Sequence, residues 1–491
     1  MSKETVSSQS RKAGLLMPVS SLPNRHGVGD FGPETRRFLR SVKRSGFAYW
    51  QILPLTPIGF GHSPYQPFSS LAMDETYISL DELVKKGLLG KVPSYRQNRR
   101  RVDFEKVKAF KTKYLHQAFK KAVRNSPTFI NRLRKRMAKY YEYAVFMAFK
   151  KGFNYAPWNE WPEAEKAWGM NHYLDLTNYQ AEIDCQLFIQ DVLIKQWRKL
   201  KRHAHSLGIS IIGDLPFYVG HDSVDCYTNQ NYFFLNEQGI PLLISGVGPD
   251  YFSKTGQRWG NPIYNFDVLK QNGYRFLIDR IKDCGDIYDY IRLDHFRAFD
   301  TYYVIDGKEE TAERGIWKLG PSYDFFDTLF LEFDATRIIA EDLGDIRPEV
   351  LTLRDHYHFP GMNVMQFEIL SDKEIPINAH NVYYIGTHDN DTLKGWYLKL
   401  SKAERAKLHS LLAKEDHRGD VYEQMMNYAL HRQNDLCVLF MGDLLKLGNY
   451  ARINVPGIID EINWTYRLQS LNSFQVKTKE LQKMLKDSHR K

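Results

Sequence analysis

Eight short apolar runs, rich in β-branched and aromatic residues, recur at 13–22, 47–57, 210–219, 290–296, 337–344, 363–369, 382–389 and 436–445. Amphipathic stretches at 33–46, 185–207, 269–283 and 401–433 lie between them. A strand that runs into a helix before the next strand must cross over, and crossovers leave strands parallel. Eight such units predict an α/β chain folded as a (β/α)₈ TIM barrel. A doubly wound open sheet accommodates the same alternation, and the count alone does not separate the two. With 491 residues the chain can bury a large core without disulfide or metal staples. The four cysteines, Cys185, Cys226, Cys284 and Cys437, contain no C-x-x-C pair, so they read as scattered buried thiols.

The spacing of the runs is uneven. About 150 residues separate the second run from the third, far more than one crossover needs, so an inserted subdomain is required. The reading divides the chain into barrel (1–73), helical insertion (74–184), barrel (185–219), a second insertion (220–267) and the rest of the barrel (268–491). The first insertion carries Leu115, Phe119 and Val123 at helical spacing. The second is rich in Gly, Asn, Pro and aromatics and reads as ordered loop.

A net charge of +10 raises nucleic acid or an anionic membrane as partners. The excess is local: residues 85–151 hold 21 Lys or Arg and three acids, a surplus of 18 that leaves −8 for the remainder. No nucleic-acid module accompanies it, so nucleic acid is not expected. A solvated helix face accounts for the charge, and a polyanion contact at 85–151 is the sharper expectation. The first twelve residues are polar, and no apolar run approaches the roughly 20 residues that span a bilayer. A cytoplasmic protein without membrane contact is expected.

The chemistry gathers where strands end. Four runs finish in carboxylates: Ile211-Ile212-Gly213-Asp214, Ile291-Arg292-Leu293-Asp294, Ile338-Ile339-Ala340-Glu341-Asp342 and Ile385-Gly386-Thr387-His388-Asp389. In an α/β barrel the site lies at the C-terminal ends of the strands, so such acids emerge into its mouth. Any one of them could instead cap a helix. Arg292 and Asp294, two apart on a strand, share a face, and the guanidinium is expected to hold Asp294 ionised. Glu341 has no cation in its own strand and is expected to keep a proton. One ionised and one protonated carboxyl on neighbouring strands is the arrangement that breaks a glycosidic bond, although a structural Arg–Asp pair fits the same residues. His388 and Asp389 lack further His or Cys ligands nearby in sequence, which favours hydroxyl binding over metal. His295 is a further candidate, with a structural role as the plainer reading.

The segments Arg292-Leu293-Asp294-His295-Phe296-Arg297, Ala340-Glu341-Asp342-Leu343-Gly344 and Gly386-Thr387-His388-Asp389-Asn390-Asp391-Thr392 closely resemble signature blocks of the 4-α-glucanotransferases, glycoside hydrolase family 77. Further matching blocks include Ser63-Pro64-Tyr65-Gln66, Gly213-Asp214-Leu215-Pro216, Pro249-Asp250-Tyr251-Phe252-Ser253 and Arg452-Ile453-Asn454-Val455-Pro456-Gly457, and the resemblance runs from about 13 to 468. It implies a retaining double displacement on α-1,4-glucans without cofactor or metal. Asp294 takes the nucleophile position, Glu341 the general acid/base position and Asp389 that of the transition-state stabiliser. Arg292 would orient Asp294, and Asp214 and His388 would hold hydroxyls of the same sugar. Tyr65 would stack on donor glucose, Asn454 would contact a neighbouring unit, and Gln257 and Trp259 would cover the acceptor side. Net hydrolysis by the same groups is the alternative activity. The chain departs from the family pattern at 73–77 and at Gly442, where a Gln is usual.

Overall fold

A computed structural model describes residues 11–95, 100–249, 254–372, 378–415, 419–458 and 460–490. Part of the block 249–253 therefore lies outside the described residues. Twelve strands are present among them: β1 (Lys12–Leu16), β2 (Tyr49–Gln51), β3 (Ser210–Leu215), β4 (Leu243–Val247), β5 (Gln257–Pro262), β6 (Tyr290–Leu293), β7 (Thr301–Asp306), β8 (Ile316–Leu319), β9 (Ile338–Ala340), β10 (Met362–Val364), β11 (Val382–Tyr384) and β12 (Leu436–Phe440). Eight form one sheet in the order β10-β11-β12-β1-β2-β3-β6-β9. All its pairings are parallel. Each of the eight expected runs supplies one of these strands. Where β9 meets β10 the ladder is replaced by Ala340 N donating to Pro360 O at 2.8 Å and Met362 N to the Asp342 carboxylate at 2.8 Å. The seam closes the barrel beside Glu341.

Alternation along the strands separates two cores. Leu16, Ile212, Ile339, Met362, Val382, Tyr384 and Val438 fill the barrel interior. Their neighbours Leu15, Ile211, Ala340, Tyr383 and Leu439 belong to the layer under the helices. Two residues beyond Ile212 and Ile339, on the same inward face, come Asp214 and Glu341. The register pairs Asp214 with Arg292, and Arg292 with Ile339. The inward row thus ends in charge at the C-terminal rim.

The helical insertion contains α1 (Phe104–Asn125), α2 (Phe129–Arg136), α3 (Tyr141–Gly152) and the start of α4 (Gln180–Ser206). The expected boundary at residue 184 falls inside α4, a single helix of 27 residues that both scaffolds the insertion and crosses over into β3. Part of the insertion's basic surplus is ion-paired. Four residues pair outward, Lys111 with Asp30, Arg136 with Asp191, Lys139 with Asp283 and Lys150 with Asp222, and three pair within the insertion, Lys108 with Glu75, Arg134 with Asp184 and Lys151 with Glu182. The Arg134 and Arg136 pairs are bidentate. Lys111 is fully buried, and its ammonium donates to Ile78 O at 2.9 Å and to Thr76 O.

The second insertion is a sheet rather than loop. β4 and β5 join β7 and β8 in an antiparallel order β5-β4-β7-β8. Glycine and proline break the local pattern of β4 and β5, which pair with each other across a stretch too long for a tight two-residue turn, and the second neighbour of β4 arrives only after β6. Both departures from the family pattern are structural. Asp74 accepts from Thr76 N at 2.8 Å and Ile58 N at 3.1 Å. A side chain at Gly442 would sit 2.3 Å from the Phe440 ring. Asp443 is turned inward, accepting from Leu393 N at 2.7 Å, and burial pushes its carboxyl up to about 7. Among the described residues no helix is long and apolar enough to cross a membrane.

Gly213 sits where the Tyr288 ring lies flat on β3, and a Cβ there would meet ring carbons at 2.0 Å. Gly213→Ala is expected to lower stability by roughly 1–3 kcal/mol, the usual range for overpacking. Thermal or urea unfolding of the variant checks this.

Candidate active site

The residues predicted for the site converge on one guanidinium. Arg292, with its side chain 4% exposed, donates through Nη1 to both oxygens of Asp214 at 2.8–2.9 Å and pairs with Asp294 at 2.9 Å. One cation therefore serves two carboxylates. Tyr65 supplies the next link: its hydroxyl donates to Asp214 Oδ2 at 2.7 Å and lies 3.0 Å from His388 Nε2. Because that hydroxyl has one proton, already given to Asp214, His388 must carry its own on Nε2. The same nitrogen is 3.3 Å from Asp389 Oδ2. Burial lowers the His388 pKa, so the ring is a neutral donor.

Exposure sorts these groups into two ranks. Asp214 has no exposed side-chain surface, whereas Asp294 keeps 26% and Asp389 38%. Asp214, expected to hold a sugar hydroxyl, has its carboxylate enclosed by Arg292 and Tyr65 and acts from behind the site. Asn454, expected to contact sugar, donates its amide to Asp389 Oδ1 at 2.7 Å. Arg452 holds the same loop, donating to the Asp389 carbonyl, to Asp391 at 2.6 Å and to Asn454 O at 2.6 Å. Tyr65 stacks on His388 with ring centroids 5.4 Å apart, and Trp464 lies 5.4 Å from Tyr65.

Glu341 follows β9 at the seam. Its Oε2 accepts from His295 N, the residue after Asp294, at 2.7 Å, and Oε1 accepts from Leu343 N at 3.1 Å. Burial raises its pKa against the pull of Arg292 and these two amides. Burial also raises Asp294 well above the ordinary range; Arg292 opposes this, while Asp214, Glu341 and Asp389 reinforce it. The expectation that Arg292 simply keeps Asp294 ionised is thus corrected: Arg292 is divided with Asp214, and several carboxylates crowd one cation. Burial thus holds both Asp294 and Glu341 above the usual carboxylate range.

Opposite this cluster stands β5. Gln66 donates to the Trp259 carbonyl at 2.7 Å, and Trp259 Nε1 donates to Gln257 Oε1 at 3.3 Å. The Trp259 ring meets His295 edge-on at 4.9 Å. Burial lowers His295 to about 4, so it is neutral. His295 Nε2 and the Tyr218 hydroxyl are buried without a hydrogen-bond partner among the described residues, and their rings lie 6.3 Å apart. Arg452, Trp464, Gln66 and Tyr218 were not singled out from sequence. Arg452 and Gln66 lie in matching blocks that could have flagged them, whereas Trp464 and Tyr218 carry no such signal.

Eight parallel strands with carboxylates gathered at their C-terminal ends define a (β/α)₈-barrel enzyme. A family profile described as 4-alpha-glucanotransferase matches residues 17–473. The 4-alpha-glucanotransferase of Thermus thermophilus is 38% identical, covering 93% of this chain and 95% of its own. That of Synechocystis is 37% identical, covering 94% and 95%. The amylomaltase of Streptococcus agalactiae, solved with acarbose, superposes with a TM-score of 0.92 at 31% identity, covering 98% of this chain and 99% of its own. The chain belongs to the 4-α-glucanotransferase family, glycoside hydrolase family 77, and is an enzyme of that type.

Replacing Asp214 by Asn removes one of the two charges that compete for Arg292. Asp294 then has the guanidinium to itself and one fewer anion nearby, so its pKa falls. The acid limb of the pH–rate profile is expected to move to lower pH in Asp214→Asn. An unmoved acid limb would contradict the shared-cation account.

Proposed function

We propose that this enzyme transfers α-1,4-glucan segments between maltooligosaccharides by a retaining double displacement. The observation that carries the reading is the placement of Asp294 and Glu341 at the ends of the neighbouring strands β6 and β9, both partly exposed and both raised by burial, around Arg292. In the first step the Asp294 carboxylate attacks the anomeric carbon. Glu341 gives its proton to the departing glycosidic oxygen, leaving a glucosyl ester on Asp294. In the second step Glu341, now ionised, takes the proton from an acceptor hydroxyl. That oxygen attacks the same carbon and releases Asp294. Two inversions give net retention.

Arg292 tracks the change in charge at Asp294. The Asp389 carboxylate, kept open by Asn454 and Arg452, accepts hydrogen bonds from ring hydroxyls and balances developing positive charge. His388 contributes a neutral donor beside it. Tyr65, half-buried between His388 and Trp464, offers an aromatic wall to the donor sugar. The bound acarbose of the Streptococcus agalactiae relative accords with an α-linked oligosaccharide in this mouth. Gln257 and Trp259, braced by Gln66, stand over the acceptor side. A covered acceptor side excludes water and favours transfer over hydrolysis. The four cysteines are buried and unpaired, which fits a reducing compartment, and we place the reaction in the cytoplasm.

Incubation with maltotriose is expected to give glucose and a ladder of longer maltooligosaccharides. Shorter products alone would defeat transfer. Asp294→Asn is expected to abolish turnover, and a donor with a good leaving group should partly rescue the first step in Glu341→Gln.

The basic insertion supports a second element of the proposal. Lys113, Lys120, Lys121 and Arg124 on α1, and Lys135 on α2, are exposed and form no ion pair among the described residues. We assign this face to phosphorylated glucan, whose phosphate esters complement it. Co-sedimentation with phosphorylated glucan should weaken with salt and with the combined Lys113→Glu, Lys120→Glu, Lys121→Glu and Arg124→Glu changes. Equal binding after enzymatic dephosphorylation of the glucan would rule the assignment out.

A further inference from the structure

Away from the barrel mouth, α1 and α4 bring three metal-ligand side chains together. His116 lies on α1, and Glu182 and Cys185 lie one turn apart on α4, with one ligand atom from each within 4.8 Å of the others. Glu182 is used unevenly. Lys151 Nζ at 2.5 Å and Gln186 Nε2 at 2.7 Å both donate to Oε1. The other oxygen, Oε2, lies 3.8 Å from His116 Nε2, too far for a hydrogen bond.

That imidazole nitrogen is buried without a hydrogen-bond partner, although the side chain as a whole is 41% exposed. The buried, unpaired thiol of Cys185 completes the group. A nitrogen and an oxygen 3.8 Å apart can share an ion lying roughly 2.0–2.2 Å from each, with sulfur slightly farther from it. Imidazole and thiol with a single carboxylate suit a borderline-soft ion and not Mg²⁺ or Ca²⁺.

We propose that His116, Glu182 and Cys185 form a Zn²⁺ site, its fourth position taken by water reaching in along the exposed side of His116. The thiol proton passes to solvent as sulfur binds, and Lys151 stays on Oε1, the oxygen turned away from the ion. The site clasps α1 to α4. Since Lys111 on α1 donates to the carbonyls of Thr76 and Ile78, the clasp steadies the insertion against the chain that leads out of the first barrel loops. None of the three residues belongs to the catalytic cluster.

The test uses the full chain, stripped with a chelator and desalted, with Co²⁺ or Zn²⁺ alone as probe. One equivalent of Co²⁺ is expected to bind with a thiolate-to-metal charge-transfer band, and Zn²⁺ should displace it. Cys185→Ser should lose the band, and His116→Asn should weaken Zn²⁺ binding by about tenfold or more. Zn²⁺ should raise the melting temperature of the parent but not of Cys185→Ser. Maltotriose turnover retained by both variants certifies that they are folded. If Cys185→Ser does not fold, the partly exposed His116→Asn and the binding stoichiometry of the parent decide. No retained equivalent in the parent, or a band unchanged in the variants, overturns the site.

Discussion

The site is organised around one buried cation with more anions than it can neutralise. Arg292 is locked to Asp214 through both carboxylate oxygens and still reaches Asp294. Taking a guanidinium out of water is costly unless its partners are fixed, and Asp214 fixes them. Tyr65 in turn fixes Asp214, and through the same hydroxyl the tautomer of His388. Four side chains from separate parts of the barrel mouth thus depend on a single charge. Burial is what raises Asp294 and Glu341 above the ordinary carboxylate range, and at Asp294 the neighbouring carboxylates reinforce it against the pull of Arg292.

Strand parity made most of this legible in advance. Period-two alternation places Asp214, Arg292, Asp294 and Glu341 on the inward row, and short apolar runs that end in acids mark the C-terminal rim. All eight barrel strands were readable for the same reason: each is a local signal. What the sequence did not show is how Arg292 divides its bonds. That depends on register between β3 and β6, a relation between residues far apart in the chain. The family resemblance implies sugar contacts for Asp214 and Asn454; that Asp214 also meets Arg292 and Tyr65, and Asn454 the Asp389 carboxylate, is a relation the sequence does not show.

Pairing also explains the second insertion. Leu243–Val247 and Gln257–Pro262 lack a clean alternation; they pair with each other, and the other neighbour of Leu243–Val247, Thr301–Asp306, comes only after β6. A connection longer than a tight turn, beside a partner that is distant in sequence, leaves no short hairpin signature. The basic surplus of the first insertion is a related case. A linear count gives an isolated positive segment. Folding sets four of its cations against acids from outside it, so part of that charge is docking chemistry between the insertion and the rest of the chain.

That docking bears on the choice between transfer and hydrolysis. In the proposed double displacement, a glucosyl ester at Asp294 survives only if water reaches it more slowly than an acceptor does. The cover over the acceptor side is not a free loop: β5 is one edge of a four-stranded sheet, and Gln66 from the first barrel loops donates to the Trp259 carbonyl. The Trp259 ring then rests edge-on against His295, the neighbour of Asp294. A cover held from three sides is already in place before substrate arrives, so an acceptor sugar gains contacts that water cannot. Under the proposed mechanism, discrimination against water rests on this cover more than on any difference among the carboxylates, which both reactions would use alike.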